Sequence, residues 1–247
     1  MHVLAVIPAR FAAQRFPGKP LAMLWGKPML RHVWERARAA SCIDTLVIAT
    51  DDERIASAAR GWGATVEMTS PACASGTDRV AEVARRHPDA AIVLNLQGDE
   101  PELDGEAVGR LIAVMRAEPG AAMGTLAHDE APERMTSGDV VKVGVDSTGF
   151  ATYFTRAMPA ADAPPTDLEG RRQGAMLRHV GVYAFTREFL LTFASWPPGT
   201  MEQAERLEQL RAVERGVPIR VVTGVRPFAG IDTPEQLAVL EARGPRR

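Results

Sequence analysis

Arg10, Arg15 and Lys19 place three cations within ten residues, directly after the apolar run Val3–Ile7. Arginine grips phosphate oxygens through parallel N–H donors, whereas lysine acts as a compact point charge. Gly18 lets the backbone approach a phosphate closely, and the prolines around it stiffen the segment Pro8–Leu21. The spacing is neither the GxxxxGK[ST] of a P-loop nor the GxGxxG of a dinucleotide site. By composition alone a solvated basic loop is the alternative. Its position favours an anion site, because open α/β sheets bind ligands beyond the carboxyl ends of their strands.

Two aspartates could complete such a site. Asp99 follows the apolar run Ala91–Leu96 in the turn Gln97-Gly98-Asp99-Glu100-Pro101, and Asp232 precedes Pro234 at a predicted helix start. Turn formation for Asp99 and helix capping for Asp232 are the structural alternatives. Paired carboxylates at strand ends are also the donor type that Mg²⁺ takes, one or two at a time, beside phosphate oxygens. Ser75, before Gly76, Thr77 and Arg79, reads as an N-cap that can also meet a ligand. His179 and Tyr183 are four apart, so on a strand they share a face, as a core pair or as a ligand lining. Arg156 follows a predicted hairpin strand, and Glu208 and Gln209 lie on a predicted helix.

These residues need elements to hold them. Val3–Ile7, Thr45–Ala49, Ala64–Met68 and Ala91–Leu96 read as strands. Lys27–Ala40, Ser75–Arg86 and Glu106–Arg116 read as helices, and Asp51-Asp52-Glu53 as the acidic start of another. The alternation predicts an α/β fold, Rossmann-like, with a mostly parallel sheet and helices on both faces. Then the rhythm changes. Ala122–Ala127, Val140–Val145, Phe150–Thr155 and Arg178–Phe185 read as strands, with Asp146–Gly149 as a hairpin turn. An antiparallel insertion therefore joins the sheet. Ala157–Gln173 reads as a loop, Met201–Arg215 as a helix, Ile219–Thr223 as a strand, and Pro234–Arg243 as a closing helix capped by Asp232 or Thr233.

The 247 residues suit a single domain, with 120–185 as its inserted segment. A net charge of −2 gives no global pull toward nucleic acid or an anionic membrane, so any anion site must be local. Cys42 and Cys73 fit neither a zinc pattern nor a disulfide framework. The apolar start is short and is stopped by Pro8-Ala9-Arg10, unlike a signal peptide, and no run is long enough to span a bilayer. A cytoplasmic protein is expected.

Pro8-Ala9-Arg10 with Arg15-Phe16-Pro17-Gly18-Lys19-Pro20-Leu21 resembles the signature of the CMP-sugar synthetases, most closely the 3-deoxy-manno-octulosonate (Kdo) cytidylyltransferases. Ala49-Thr50-Asp51, Ser75-Gly76-Thr77-Asp78-Arg79, Asn95–Pro101 and Ile231–Glu235 resemble the family in the same order. Arg178–Tyr183 and Leu207–Arg211 resemble its acceptor side. The resemblance implies a nucleotidyltransferase that moves CMP from CTP to an acidic 2-keto sugar. It places the nucleotide at Pro8, Ala9, Arg10, Lys19, Ser75, Gly76, Thr77 and Arg79. It assigns Mg²⁺ to Asp99 and Asp232, and the sugar to Gln97, Arg156, His179, Tyr183, Glu208 and Gln209. It also implies a homodimer built around 120–185. The expected chemistry is in-line displacement, with Arg10, Arg15 and Lys19 on the phosphates and no covalent intermediate. Three positions depart from the pattern: Ala13 replaces a serine, Ala72-Cys73 replaces Asp-His, and Met158–Pro165 replaces an aromatic-plus-arginine stretch. Two of the alternatives keep the fold: a relative acting on a small phosphonate such as phosphonoformate or another 2-keto acid, and a nucleotide-binding paralogue without turnover. An NAD enzyme is disfavoured, since no glycine-rich turn follows Val3–Ile7.

Overall fold

The computed structural model describes residues 1–12, 15–118, 120–157, 176–228 and 230–245. Ala13 lies outside them, as do Met158–Pro165 and all but Ala157 of the expected loop. The chain forms two compact units, Met1–Gly109 with Phe228–Arg247, and Arg110–Pro227.

The first unit opens with β1 (His2–Ala9), a 3-10 turn (Lys19–Leu21), β2 (Met23–Leu24), β3 (Lys27–Pro28) and α1 (Met29–Ala39). β4 (Thr45–Thr50), α2 (Glu53–Gly61), β5 (Thr65–Met68), α3 (Gly76–Arg86), β6 (Ala90–Asn95) and the start of α4 (Gly105–Ala117) follow. Its sheet runs β6-β1-β4-β5, every pair parallel. Val3, Leu4, Ala5, Val6 and Ile7 are all fully buried. That explains the unbroken apolar run, since parallel strands are usually covered on both faces. Leu30 and Val33 of α1, Ile55 of α2, and Val80 and Val83 of α3 supply the buried helix faces. The helix expected at Lys27–Ala40 begins only at Met29. Trp25 and Gly26 both take positive φ, 48° and 76°, and form a tight two-residue hairpin that keeps Lys27 and Pro28 in strand pairing.

The second unit contains the rest of α4, then β7 (Met123–His128), α5 (Pro132–Met135), β8 (Lys142–Val145), β9 (Ala151–Thr155) and β10 (Met176–Thr186). It continues through α6 (Arg187–Ser195), α7 (Thr200–Glu205), α8 (Leu210–Val213) and β11 (Ile219–Val222). β10 pairs antiparallel with β7 and β8, β8 pairs antiparallel with β9, and β11 joins β7 in parallel. The hairpin signal at Asp146–Gly149 is therefore real. Asp146 closes it by accepting from Thr148 and Phe150 backbone N–H at 2.8 and 2.9 Å.

The helix expected over Met201–Arg215 is broken. Arg206 takes φ 55°, and 206–209 form the turn between α7 and α8. The cause is a buried ion pair: Arg211 donates to Glu202 through Nε at 2.8 Å and Nη2 at 2.6 Å. Nine residues of continuous helix would separate those positions by roughly 13 Å along the axis. Only a break lets them meet. α6, capped by Thr186 and burying Leu190 and Phe193, has no counterpart among the elements read from the sequence.

The chain returns to the first unit with α9 (Pro234–Arg243). Its N-cap is Thr233, whose hydroxyl accepts from Gln236 N. The Asp232 carboxylate is thereby released from capping.

Candidate active site

The loop after β1 is closed by Gly18 N–H donating to Phe11 O at 2.8 Å. Gly18 has φ 72°, a left-handed conformation that side chains resist, and a Cβ there would meet the Phe11 ring at 3.3 Å. This turn delivers Lys19 to the site. Its Nζ donates to Asp99 Oδ2 at 2.5 Å, Ile231 O at 3.0 Å and Asp232 Oδ1 at 3.4 Å. Arg15 Nη2 meets Asp232 Oδ1 from the other side at 2.9 Å. Four of the residues singled out by the sequence therefore converge, although Asp232 is 213 positions from Lys19. The cluster runs from the inside outward: side-chain exposure is 13% for Lys19, 25% for Asp99, 40% for Asp232 and 58% for Arg15. Charges at the inner end act at lower dielectric, so Lys19 and Asp99 form its strongest pair.

Asp99 is held by its neighbours. A Cβ on Gly98 would sit 3.1 Å from Pro8 O, so glycine lets this turn lie against the end of β1. Ile231 N–H donates to Asp99 O at 2.9 Å, which ties the two aspartate segments together through the backbone.

Arg10 points elsewhere. Its guanidinium donates to the carbonyl oxygens of Cys73 and Ser75, the latter at 3.2 Å. It thus pins the segment leading into α3. Ser75 caps α3 in a reciprocal box with Asp78, with bonds of 3.1 and 3.0 Å. Thr77 accepts from Asn95 Nδ2 at 3.2 Å, and Gly76 lies over the Pro8 ring. Ala9 is buried at the end of β1. Arg79 is fully buried, with its guanidinium on Thr69 Oγ1 and 3.2 Å from Asp51 Oδ1. It braces the strand ends beneath this segment.

Of the acceptor-side candidates in the second unit, His179 and Tyr183 meet. His179 and Tyr183 have ring centroids 5.4 Å apart, and Phe154 meets His179 edge-on at 5.3 Å. The strand-face reading survives an irregularity between Val180 and Tyr183, because those two pair with adjacent residues Leu126 and Thr125. Two extra residues in β10 preserve its alternation. Thr125 Oγ1 lies 2.8 Å from Val182 O and 3.0 Å from His179 Nε2. The hydroxyl donates to the carbonyl, so the imidazole donates to it through Nε2, which leaves Nδ1 as the acceptor when the ring is neutral. Burial, and secondarily the charge of Arg156, push the His179 pKa from 6.5 down to about 3. Gln209 is buried, and its Nε2 has no hydrogen-bond partner among the described residues. Glu208 lies beside it in the turn rather than on a helix. Gln97 belongs to the first unit, where its carbonyl accepts from Glu100 N at 3.3 Å.

The neutral state of His179 has a pH consequence. The folded pKa is depressed, so the contribution is present above pH 6.5 and is lost as pH falls toward about 3, where the unfolded chain takes up a proton first. Thermal unfolding of His179→Gln should show a shallower loss of Tm than wild type between those pH values. Parallel curves would contradict the buried neutral imidazole.

Among the described residues no group of three or more His, Cys, Asp or Glu forms a metal cluster, and no helix is long and apolar enough to cross a membrane. The sequence reading missed two residues that hold this site. Thr125 lies in an apolar strand, and Lys142 is fully buried in β8. Nothing in the local pattern marks either.

Comparison with known proteins agrees with this geometry. The cytidylyltransferase family pattern matches residues 4–219. The 3-deoxy-manno-octulosonate cytidylyltransferase of Anaeromyxobacter sp. (strain Fw109-5) is 51% identical, over 99% of both chains. That of Geobacter sulfurreducens is 46% identical, over 96% of this chain and 97% of its own. A solved structure of CMP:2-keto-3-deoxy-manno-octonic acid synthetase complexed with CTP superposes with a TM-score of 0.88 at 38% identity, covering 98% of each chain. The mostly parallel α/β sheet with its antiparallel strands is thus a nucleotidyltransferase fold, and the chain belongs to the cytidylyltransferase family, in its 3-deoxy-manno-octulosonate branch.

Proposed function

We propose that this enzyme transfers CMP from CTP to 3-deoxy-manno-octulosonate and releases pyrophosphate. The observation that carries the reading is the convergence of Asp99 and Asp232 on the single cationic atom Lys19 Nζ. Lys19 and Arg15 balance the two carboxylates; with those cations on a triphosphate, the hard carboxylate oxygens would suit Mg²⁺. When bound there, Mg²⁺ would offset triphosphate charge and polarise the α-phosphate. Lys19 and Arg15 would then pair with phosphate oxygens in place of the aspartates. Arg10 acts through the segment it pins, so that Pro8, Ala9, Ser75, Gly76 and Thr77 line the nucleoside.

On the acceptor side, Arg156 takes the sugar carboxylate. His179, Tyr183, Glu208, Gln209 and Gln97 take its hydroxyls. The unpartnered Gln209 Nε2 supports this, because a buried donor left without an acceptor is costly unless a ligand supplies one. His179, neutral and already donating through Nε2, serves through Nδ1 as a hydrogen-bond acceptor rather than an acid.

The segment 120–185 also forms the interface of a homodimer in a cytoplasmic enzyme. Sedimentation should give twice the mass of one chain, and a monomer at micromolar concentration would contradict it. The activity is tested by pyrophosphate release that requires CTP, Mg²⁺ and the sugar acid together.

A further inference from the structure

Lys142 is fully buried, yet the chemistry proposed above does not use it. Its Nζ donates to Arg156 O at 2.9 Å and Ser137 O at 2.8 Å. From the opposite side, Glu205 Oε2 accepts from Arg156 N–H at 2.9 Å, and Glu205 Oε1 accepts from the Thr155 hydroxyl at 2.8 Å. Thr155 Oγ1 in turn accepts from Ala157 N–H at 2.9 Å. The Arg156 residue is therefore gripped at both of its backbone polar groups, each time by an ionisable side chain from another element. Its guanidinium has only a 3.4 Å contact with Asp139 O among the described residues. The root of the side chain is fixed while its charged end remains available.

Burying a lysine is expensive, and placing it beside a second cation adds repulsion. Desolvation and the charge of Arg156 both lower the Lys142 pKa, and Glu205 opposes them. A methionine would fill the same space at no such cost. Retaining the ammonium makes sense if the carbonyls it holds must stay in one arrangement. An arginine whose backbone is preorganised loses less conformational entropy when it closes on a carboxylate. We propose that Lys142 and Glu205 are positioning residues that set the Arg156 backbone and thereby the affinity for the acidic acceptor. This rests on the reading of Arg156 as the acceptor's carboxylate partner.

The two residues carry opposite charges, which separates positioning from simple attraction. Removing the Lys142 charge weakens acceptor binding under either mechanism. Removing the Glu205 charge makes the site more positive: attraction alone predicts tighter acceptor binding, positioning predicts weaker. Steady-state pyrophosphate release is measured for wild type, Lys142→Met and Glu205→Gln, varying 3-deoxy-manno-octulosonate and CTP in turn. The expected result is an acceptor KM raised roughly tenfold in both variants, the scale of one charge-assisted hydrogen bond. KM for CTP should stay within about twofold, as should the CTP-induced rise in Tm. If Lys142→Met does not fold, Glu205→Gln decides alone by the same criterion. A lowered or unchanged acceptor KM in Glu205→Gln, or equal rises in both KM values, overturns the inference while leaving the function intact. A wild-type enzyme that ignores the sugar acid overturns the acceptor reading and this inference with it.

Discussion

Lys19→Ala should lower turnover by about 10²–10³, the usual effect of losing one preorganised charge at a reacting phosphate. Lys19 is the innermost member of the cluster and holds both aspartates, at 2.5 and 3.4 Å. Its removal leaves Asp99 and Asp232 without the charge between them and, on the proposed function, takes a cation from the triphosphate. Arg15 remains on Asp232 but is the most exposed of the four, so it compensates little. Asp99→Asn should cost a similar factor by the opposite route, because it keeps the shape and the Gly98 turn while removing one carboxylate charge. Both variants should fold, since neither residue belongs to the apolar core. Turnover within a factor of about three of wild type in either would contradict the assignment, an effect of 10² being the least expected.

Arg79→Ala should instead be a stability variant. Arg79 is fully buried, and its guanidinium holds Thr69 and Asp51, at the ends of neighbouring strands. Truncation strands the partially buried Asp51 carboxylate and opens a cavity. Breaking a buried pair by removing one partner typically costs about 3–5 kcal/mol. For a chain of this size that is a Tm fall of roughly 6–20 °C. The KM for CTP, measured well below the new Tm, should stay close to that of wild type. The family resemblance places Arg79 in the nucleotide site, and the two roles separate here. A Tm within about 2 °C of wild type, less than 1 kcal/mol at this size, together with lost CTP binding, would restore the direct contact.

Legibility followed the range of the forces involved. β1, β4 and β6 could be read because a strand buried in a parallel sheet is written as one apolar run, such as Val3–Ile7. α3 could be read because its capping box, Ser75 with Asp78, is spelled out in adjacent residues. The cationic loop announced itself by charge density on a nearly neutral protein. Asp232 was ambiguous, since either it or Thr233 can cap α9. The choice is made by Gln236, whose amide oxygen accepts from both backbone N–H groups while Thr233 takes the cap.

What could not be read depends on partners distant in sequence. The break between α7 and α8 follows from Glu202 reaching Arg211, and helical periodicity runs through that region without interruption. Trp25 at positive φ is set by the hairpin it turns, and its backbone N–H finds Glu241 at 2.6 Å, 216 positions away. Lys142 sits in Val140-Val141-Lys142-Val143, where nothing local marks it, and its partners are the carbonyls of Ser137, before β8, and Arg156, just past β9. The same principle separates the two groups of candidate residues. The proposed nucleotide residues are dense in local signals, whereas the proposed acceptor residues are single ones: Gln97 after β6, Arg156 just past β9, His179 and Tyr183 on β10, and Glu208 and Gln209 in the turn after α7.

The most direct test holds CTP and Mg²⁺ constant and varies only the acceptor, with pyrophosphate as the readout. The panel contains 3-deoxy-manno-octulosonate, other 2-keto acids and phosphonoformate. Release above the acceptor-free control is expected with 3-deoxy-manno-octulosonate. Release with the phosphonate and none with the sugar acid would contradict the proposed function.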